Sequence, residues 1–129
     1  MGNNARRHIV IKIMMFIVLL TPVPVLARDP WTKGDTYREI TAFTLRTVDW
    51  KTTRNIARNP DEYIEANPLL GEHPSLGRVN TYFIITSAIH PVISYYLPRD
   101  YRTAFQYLSI GVSGTASVVN LWSGLEIKF

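Results

Sequence analysis

Asp49 and Thr53 stand four residues apart and Arg46 three before Asp49, so on a helix the three side chains share one face. Downstream, Glu65, Asn67, Glu72 and His73 fall in a stretch broken by Asn67-Pro68, Gly71 and His73-Pro74. Two carboxylates and a histidine drawn from separate elements are the residue types of a hydrolytic or metal site, because both groups carry protons and bind metal ions. One reading is therefore a small metal-dependent hydrolase using Asp49, Glu65 and His73, with His90 as a further ligand. The spacing gives it no support, since no HExxH, GxSxG or comparable motif is present. The plainer reading is structural. Arg46 and Asp49 form a pair along a helix, Glu65 or Asn67 caps exposed backbone at the turns, and no catalytic residue, metal or cofactor is assigned.

These residues need elements to position them. Asp35 is a plausible N-cap and Glu39 falls in a first turn, while Pro60 disfavours helix at Asn59, so a helix is expected over 36–58. It carries too many charges for an isolated membrane span, and its apolar residues do not gather on one clean stripe. A short helix is expected over 60–66, with Pro60 at its first position. The remainder of 59–78 reads as an ordered loop too long to be a mere connector.

Two apolar segments follow, 79–98 and 103–122, each of 20 residues without a formal charge. As helices they are about 30 Å long, the thickness of a bilayer's hydrocarbon core. The link "RDYR" holds Arg99 and Arg102, and a short basic connection is expected on the cytoplasmic side. Each segment carries a polar stripe: Asn80, Ser87, His90 and Ser94 in the first, Gln106, Ser109, Ser113, Ser117 and Asn120 in the second. Folding the hairpin at "RDYR" sets Ser87 near Ser113, His90 near Gly111 and Asn80 near Asn120. A tight antiparallel pair is expected, packed through Ser87, Gly111, Ser113, Gly114 and Ser117. Pro91 is expected to kink the first helix beside His90. An ionisable residue at that depth is a functional candidate, and the plainer reading is a neutral imidazole bonded to a serine or a freed carbonyl.

The run "VDWKTTRNIARNPDEYIEANPLLGEHPSLGRVNTYF" resembles a pattern of small bacterial and phage-type helical membrane proteins to which no activity is assigned. In that pattern an Asp-x-x-x-Thr helix is followed by a glutamate, an Asn-Pro and a glycine, then hydrophobic helices. The matching positions are Asp49, Thr53, Glu65, Asn67, Pro68 and Gly71. The resemblance implies a compact helical membrane protein in which Asp49, Thr53, Glu65 and Asn67 form one connected polar network.

Composition sets the outer bounds. The chain of 129 residues allows a single domain and has no cysteine, which excludes disulfides and thiol chemistry. Three of its 14 basic residues, Arg6, Arg7 and Lys12, lie at the N-terminus, leaving 11 against 10 acidic ones. A near-neutral remainder argues against nucleic acid as a partner. The order of "NNARRH", "IVIKIMMFIVLL" and "PVPVLA" is that of an export signal over 1–27, with an uncleaved anchor as the rival.

Taken together, the expectation is an all-α small membrane protein: a signal or anchor over 1–27 and one helical domain over 28–129. That domain has an amphipathic helix, an ordered loop and a transmembrane helical hairpin. Its place is the bacterial inner membrane, with 28–78 and the C-terminal tail on the periplasmic side. Its partners are membrane lipid and either another protein or a second copy meeting the hairpin, and its role is accessory and non-enzymatic. A phage-type lysis or pore-forming protein is the alternative beside the hydrolase. Without a bilayer, the hairpin would be the core of a soluble domain.

Overall fold

The computed structural model describes residues 29–127; the export signal or anchor expected over 1–27 lies outside them. The described residues are all-α, with α1 Lys33–Arg58, α2 Leu76–Tyr96 and α3 Arg99–Trp122, and no strand among them.

α1 begins three residues earlier than the sequence suggests, because Thr32 and not Asp35 is its N-cap. The Thr32 hydroxyl accepts from the Asp35 amide at 3.1 Å while the Asp35 carboxylate accepts from the Thr32 amide at 2.8 Å, a reciprocal capping box. The helix ends where the Asn59 amide reaches back to the carbonyls of Asn55 and Ile56, immediately before Pro60. Ser75 caps α2 by accepting from the Arg78 amide at 3.2 Å, and α2 runs through Pro91 to Tyr96. Only Leu97 and Pro98 separate it from α3, so "RDYR" is the first turn of α3 and not a loop.

The short helix expected over 60–66 does not form. The chain makes one turn after Asn59, then runs irregularly until the Glu65 amide donates to the Glu72 carbonyl at 2.9 Å. Between them Asn67 organises a tight turn, accepting from the Leu69 amide through its side chain and from the Leu70 and Gly71 amides through its carbonyl. Gly71 closes this turn at φ 80°, a conformation that glycine adopts without a Cβ penalty. The turn drives Leu70 into a small apolar cluster with Val79 and Phe83, against which Trp50, Ala57 and Tyr82 pack.

α1 lies between the other two helices, packing most extensively on α3 and less on α2, while α2 and α3 barely meet. This replaces the expected arrangement of a surface helix beside a self-packed hairpin. Asn80 accepts from the Trp50 indole and Asn120 donates to the Thr52 hydroxyl, so both asparagines are paired through α1. Gly114 approaches Leu45 of α1, and a Cβ on Gly111 would meet nothing within 4 Å, so neither glycine serves a close approach to α2. The Ser117 hydroxyl donates to the Leu45 carbonyl, and Ser113 is buried, whereas Ser87 is half-buried. The physical reason is α1 itself. Its inner face is polar, so it offers most of both stripes their partners, while His90 and Ser109 meet each other directly.

The interior is inverted relative to an ordinary domain. Among the described residues, Pro74 and six other apolar side chains are buried against ten polar or charged ones, among them Asp35, Thr52, Thr53, His90, Ser94, Arg102 and Gln106. The outward faces carry Phe43, Ile84, Ile85, Ile89, Val92, Leu108, Val112 and Val118. No helix of the described residues is long and apolar enough to cross a membrane, including the two segments expected to do so, because their polar stripes lower the average.

Candidate functional site

The interior polar groups form two clusters with different characters. The first lies where the start of α1, the end of α2 and the start of α3 meet, and Arg102 is its centre. The guanidinium is 1% exposed and uses all five of its N–H donors. Nε donates to the Ser94 carbonyl, Nη1 to Asp35 Oδ2 and the Pro30 carbonyl, and Nη2 to the carbonyls of Asp29 and Leu97. The Ser94 bond has a local cause: the residue four further on is Pro98, which has no N–H to give that carbonyl. The Trp31 ring covers the guanidinium at 5.2 Å.

From Asp35 the network continues through Arg38, which pairs with Asp35 Oδ1 and donates from Nε to Gln106 Oε1 at 2.9 Å. Gln106 in turn donates to the Asp35 carbonyl and to Glu39 Oε2. Glu39 Oε2 also accepts from Ser94, and its Oε1 lies 2.6 Å from His90 Nδ1. His90 Nε2 is 2.7 Å from Ser109 Oγ, and its ring stacks on Phe105 at 4.5 Å. Ser109, His90 and Glu39 thus have the spacing of a nucleophile, its base and an orienting carboxylate. Acyl transfer also needs free donors for an oxyanion, and Ser109 sits in mid-helix where the backbone amides are committed. No buried side-chain polar atom of this cluster lacks a hydrogen-bond partner, and the network locks three helices in register.

His90 is legible from the sequence as part of a polar stripe with a serine as candidate partner, whereas nothing local marks Asp35, Arg38, Glu39 and Arg102 as inward-facing. Arg102 was hidden because a basic residue beside a turn reads as exposed. Asp35 reads as a cap, and Glu39 as a first-turn charge. The usable signal was their spacing: Asp35 and Glu39 are four apart on one helical face, and Arg102 and Gln106 are four apart on another.

The second cluster lies at the loop end of α1 and contains residues singled out from the sequence: Arg46, Asp49, Thr53 and Glu65. Thr53 is buried and donates to Asp49 Oδ1 at 3.4 Å, a long bond. Glu65 Oε1 accepts from the Asn67 amide at 2.7 Å, which fixes the start of the Asn67 turn. Glu65 Oε2 is buried without a hydrogen-bond partner. Arg46 makes no side-chain hydrogen bond among the described residues, although Asp49, Glu39 and Tyr82 all act on its charge. Burial, followed by the Glu65 carboxylate, pushes Asp49 up to about 7 against the opposing pull of Thr53 and Arg46.

His73 is not part of this cluster; it is exposed in the loop. Among the described residues no group of three or more His, Asp or Glu side chains is placed to hold a metal ion, so Asp49, Glu65 and His73 are not brought together as a ligand set. Two buried side-chain atoms among the described residues lack a hydrogen-bond partner, Glu65 Oε2 and, next to Thr53 along α1, Arg54 Nε, so this end of the bundle is less completely paired than the Arg102 end.

Comparison of the chain with protein-family models, curated protein sequences and solved structures returns no match.

Proposed function

We propose that the chain is a small integral membrane protein, non-enzymatic and accessory in role, whose three helices cross the bilayer together. The observation that carries this reading is the inversion of polarity. Charge and hydrogen-bonding groups fill the interior, while the outward band of α2 from Ile84 to Tyr96 and of α3 from Phe105 to Val119 is free of charge. On α1 the outward residues Tyr37, Ile40 and Phe43 continue the band, and α1 contributes to it as far as Val48. Exposed apolar side chains on the outward faces of all three helices call for a covering medium other than water.

Two further features favour lipid as the covering medium. The hydroxyls of Thr41, Thr44 and Thr47 each donate at 2.9 Å to the carbonyl four residues earlier on their own helix. Water would satisfy those groups; hydrocarbon cannot, and self-pairing is how a threonine lives there. Aromatic side chains gather toward the ends of the band, with Trp31, Tyr95, Tyr96 and Tyr101 at one end and Trp122 at the other, as at membrane interfaces. Modest average hydropathy is compatible with this reading, because the residues that lower the average are those buried between helices.

The topology then differs from the one expected of a hairpin alone. The Arg99 amide donates to the Asp29 carboxylate at 2.8 Å, so residue 29 and the "RDYR" turn occupy the same end of the bundle and the same side of the bilayer. The expectation placed them on opposite sides, and half of its basic cue was Arg102, which is buried against Asp35. With Arg6 and Arg7 retained in the cytoplasm, Asp29 and Arg99 face outward, and the 59–75 loop and the end of α3 face the cytoplasm.

A pore lined by the polar stripes is not favoured, since Asn80, His90, Ser94, Gln106, Ser117 and Asn120 bond to α1 and Ser109 to His90 inside the single chain. Alkaline carbonate washing of membranes from expressing cells tests the proposal: the chain is expected to stay with the lipid, and its release would overturn the reading.

A further inference from the structure

A surface cavity of about 480 Å³ lies beside the end of α2, lined by Trp31, Pro91, Val92, Tyr95 and Tyr96. All five residues are exposed, so an occupant reaches it directly from outside the bundle. Its volume is in the range of ligand pockets, and no lining residue carries a charge. The aromatic wall is set before anything binds. Trp31 Nε1 donates to Thr36 Oγ1 at 2.8 Å, and the Arg102 guanidinium lies 5.2 Å from the centre of the same ring. The Tyr95 ring is 6.3 Å from that of Trp31, and Tyr96 meets Tyr95 edge-on at 5.4 Å. A rigid, uncharged, aromatic wall favours an apolar occupant with little conformational entropy to lose. Proline is such a residue, because its φ is already fixed, and proline-rich segments dock on aromatic-lined grooves.

The chain supplies a segment of this kind next to the cavity. "PVPVL", residues 22–26, is uncharged and carries two prolines, and only Ala27 and Arg28 separate it from Asp29. Asp29 is pinned at this end of the bundle: its carboxylate accepts from the Arg99 amide at 2.8 Å, and its carbonyl from Arg102 Nη2 at 3.0 Å. Trp31, part of the cavity wall, follows two residues later. From Asp29 the chain reaches back to Val25 over about 14 Å at most. So short a tether gives the segment an effective concentration on the order of millimolar or higher, against which any free ligand would compete.

We propose that residues 22–26 of this chain occupy the cavity of Trp31, Tyr95 and Tyr96. The cavity and the tether stand whether or not a bilayer surrounds the bundle. The consequence is protection of the N-terminus. Val25 and Ala27 are the small residues before the expected cleavage point, and a peptidase must take that stretch into its own cleft. Seated against α2, the stretch is withheld, and residues 1–27 stay on the chain.

The native chain has no cysteine, so the test is disulfide trapping in the full-length protein. Val25→Cys with Val92→Cys, mildly oxidised in membranes of expressing cells, is expected to close a bond within one chain. It is read as loss of both thiols to alkylation without a dimer on a gel. Val25→Cys with Val112→Cys, outside the cavity, is expected to keep both thiols. The intact mass of the wild type is expected to be that of all 129 residues. Tyr95→Ala with Tyr96→Ala, made in the trapping pair, removes most of the wall and should abolish the bond and admit cleavage after Ala27. Pro24→Asp puts a charge on the segment, touches none of the three helices and should do the same. Thiols that survive in the Val25→Cys, Val92→Cys chain overturn the proposal, as do a disulfide between two chains and a wild type lacking residues 1–27. Undiminished trapping with Pro24→Asp overturns it too, and variants that lose the bond yet keep residues 1–27 refute the protection. Release by carbonate with the bond intact fails the bilayer reading alone, whereas retention without the bond fails this proposal alone.

Discussion

Replacing Arg102 by methionine should be among the most damaging single changes in the chain. The side chain is buried and its five donors bind Asp35 together with four backbone carbonyls, those of Asp29, Pro30, Ser94 and Leu97. Methionine keeps most of the volume and removes every donor. Breaking a buried ion pair from one side costs about 3–5 kcal/mol, because the partner charge is left in place without compensation. Asp35 keeps Thr32 and Arg38, which pulls the cost toward the lower figure. The Ser94 carbonyl pulls it back, since Pro98 cannot serve it. The expected loss is therefore about 3–5 kcal/mol, measured by denaturant unfolding of the reconstituted protein followed by helical circular dichroism. Arg102→Lys keeps the charge but offers three donors from one point, and should recover only part of the loss. A double-mutant cycle with Asp35→Asn isolates the pair, and the two losses should fall well short of additive. If Arg102→Met costs less than about 1 kcal/mol, the range of an exposed ion pair, the reasoning is refuted.

Other expectations follow from the same geometry. Asp49 has a folded pKa raised above its unfolded value, so the folded chain binds the extra proton. Stability should rise as pH falls from above 7 toward 4, and Asp49→Asn should flatten that slope in unfolding titrations at pH 5 and pH 8. Thr44→Val removes a hydroxyl that bonds only its own helix and should change stability by less than about 0.5 kcal/mol. Val112→Lys, on the outward band, should cost about 2.5–3.5 kcal/mol of insertion and shift protein from the membrane fraction on a blot. Gly71→Ala forces a Cβ onto a left-handed residue and should cost about 1 kcal/mol in the same unfolding assay.

The helices were legible from sequence within three or four residues, because Pro60, Pro98 and the charge-free runs punctuate the chain strongly. The clustering of Arg46, Asp49 and Thr53 was legible too, because helical periodicity alone puts them on one face. Glu65 joins them only through the Asn67 turn, whose direction depends on Leu70 finding its cluster with Val79 and Phe83. Interior charge was the hard part. A sequence reader assigns Asp35, Arg38, Glu39 and Arg102 to solvent, since charged residues are rarely buried unless paired. Their pairing is long-range, across 51 to 68 residues of chain in the links from Glu39 to His90 and from Arg38 to Gln106. No local pattern shows it. The same oversight made α1 a surface helix and the hairpin self-sufficient. Once Arg102, Gln106 and Asn120 are seen to spend their hydrogen bonds on α1, the three-helix bundle is the consistent answer.

If the apolar band faces lipid, Asp100 and Asp61 lie on opposite sides of the bilayer. Because the native chain has no cysteine, one measurement addresses it directly. Asp61→Cys, Asp100→Cys and Val112→Cys are expressed separately, and each is exposed to a membrane-impermeant maleimide on intact cells and again after lysis. Asp100→Cys should label on intact cells, Asp61→Cys only after lysis, and Val112→Cys in neither while the bilayer persists. Rapid labelling of Val112→Cys in intact membranes, or labelling of Asp61→Cys and Asp100→Cys from the same side, would contradict the account.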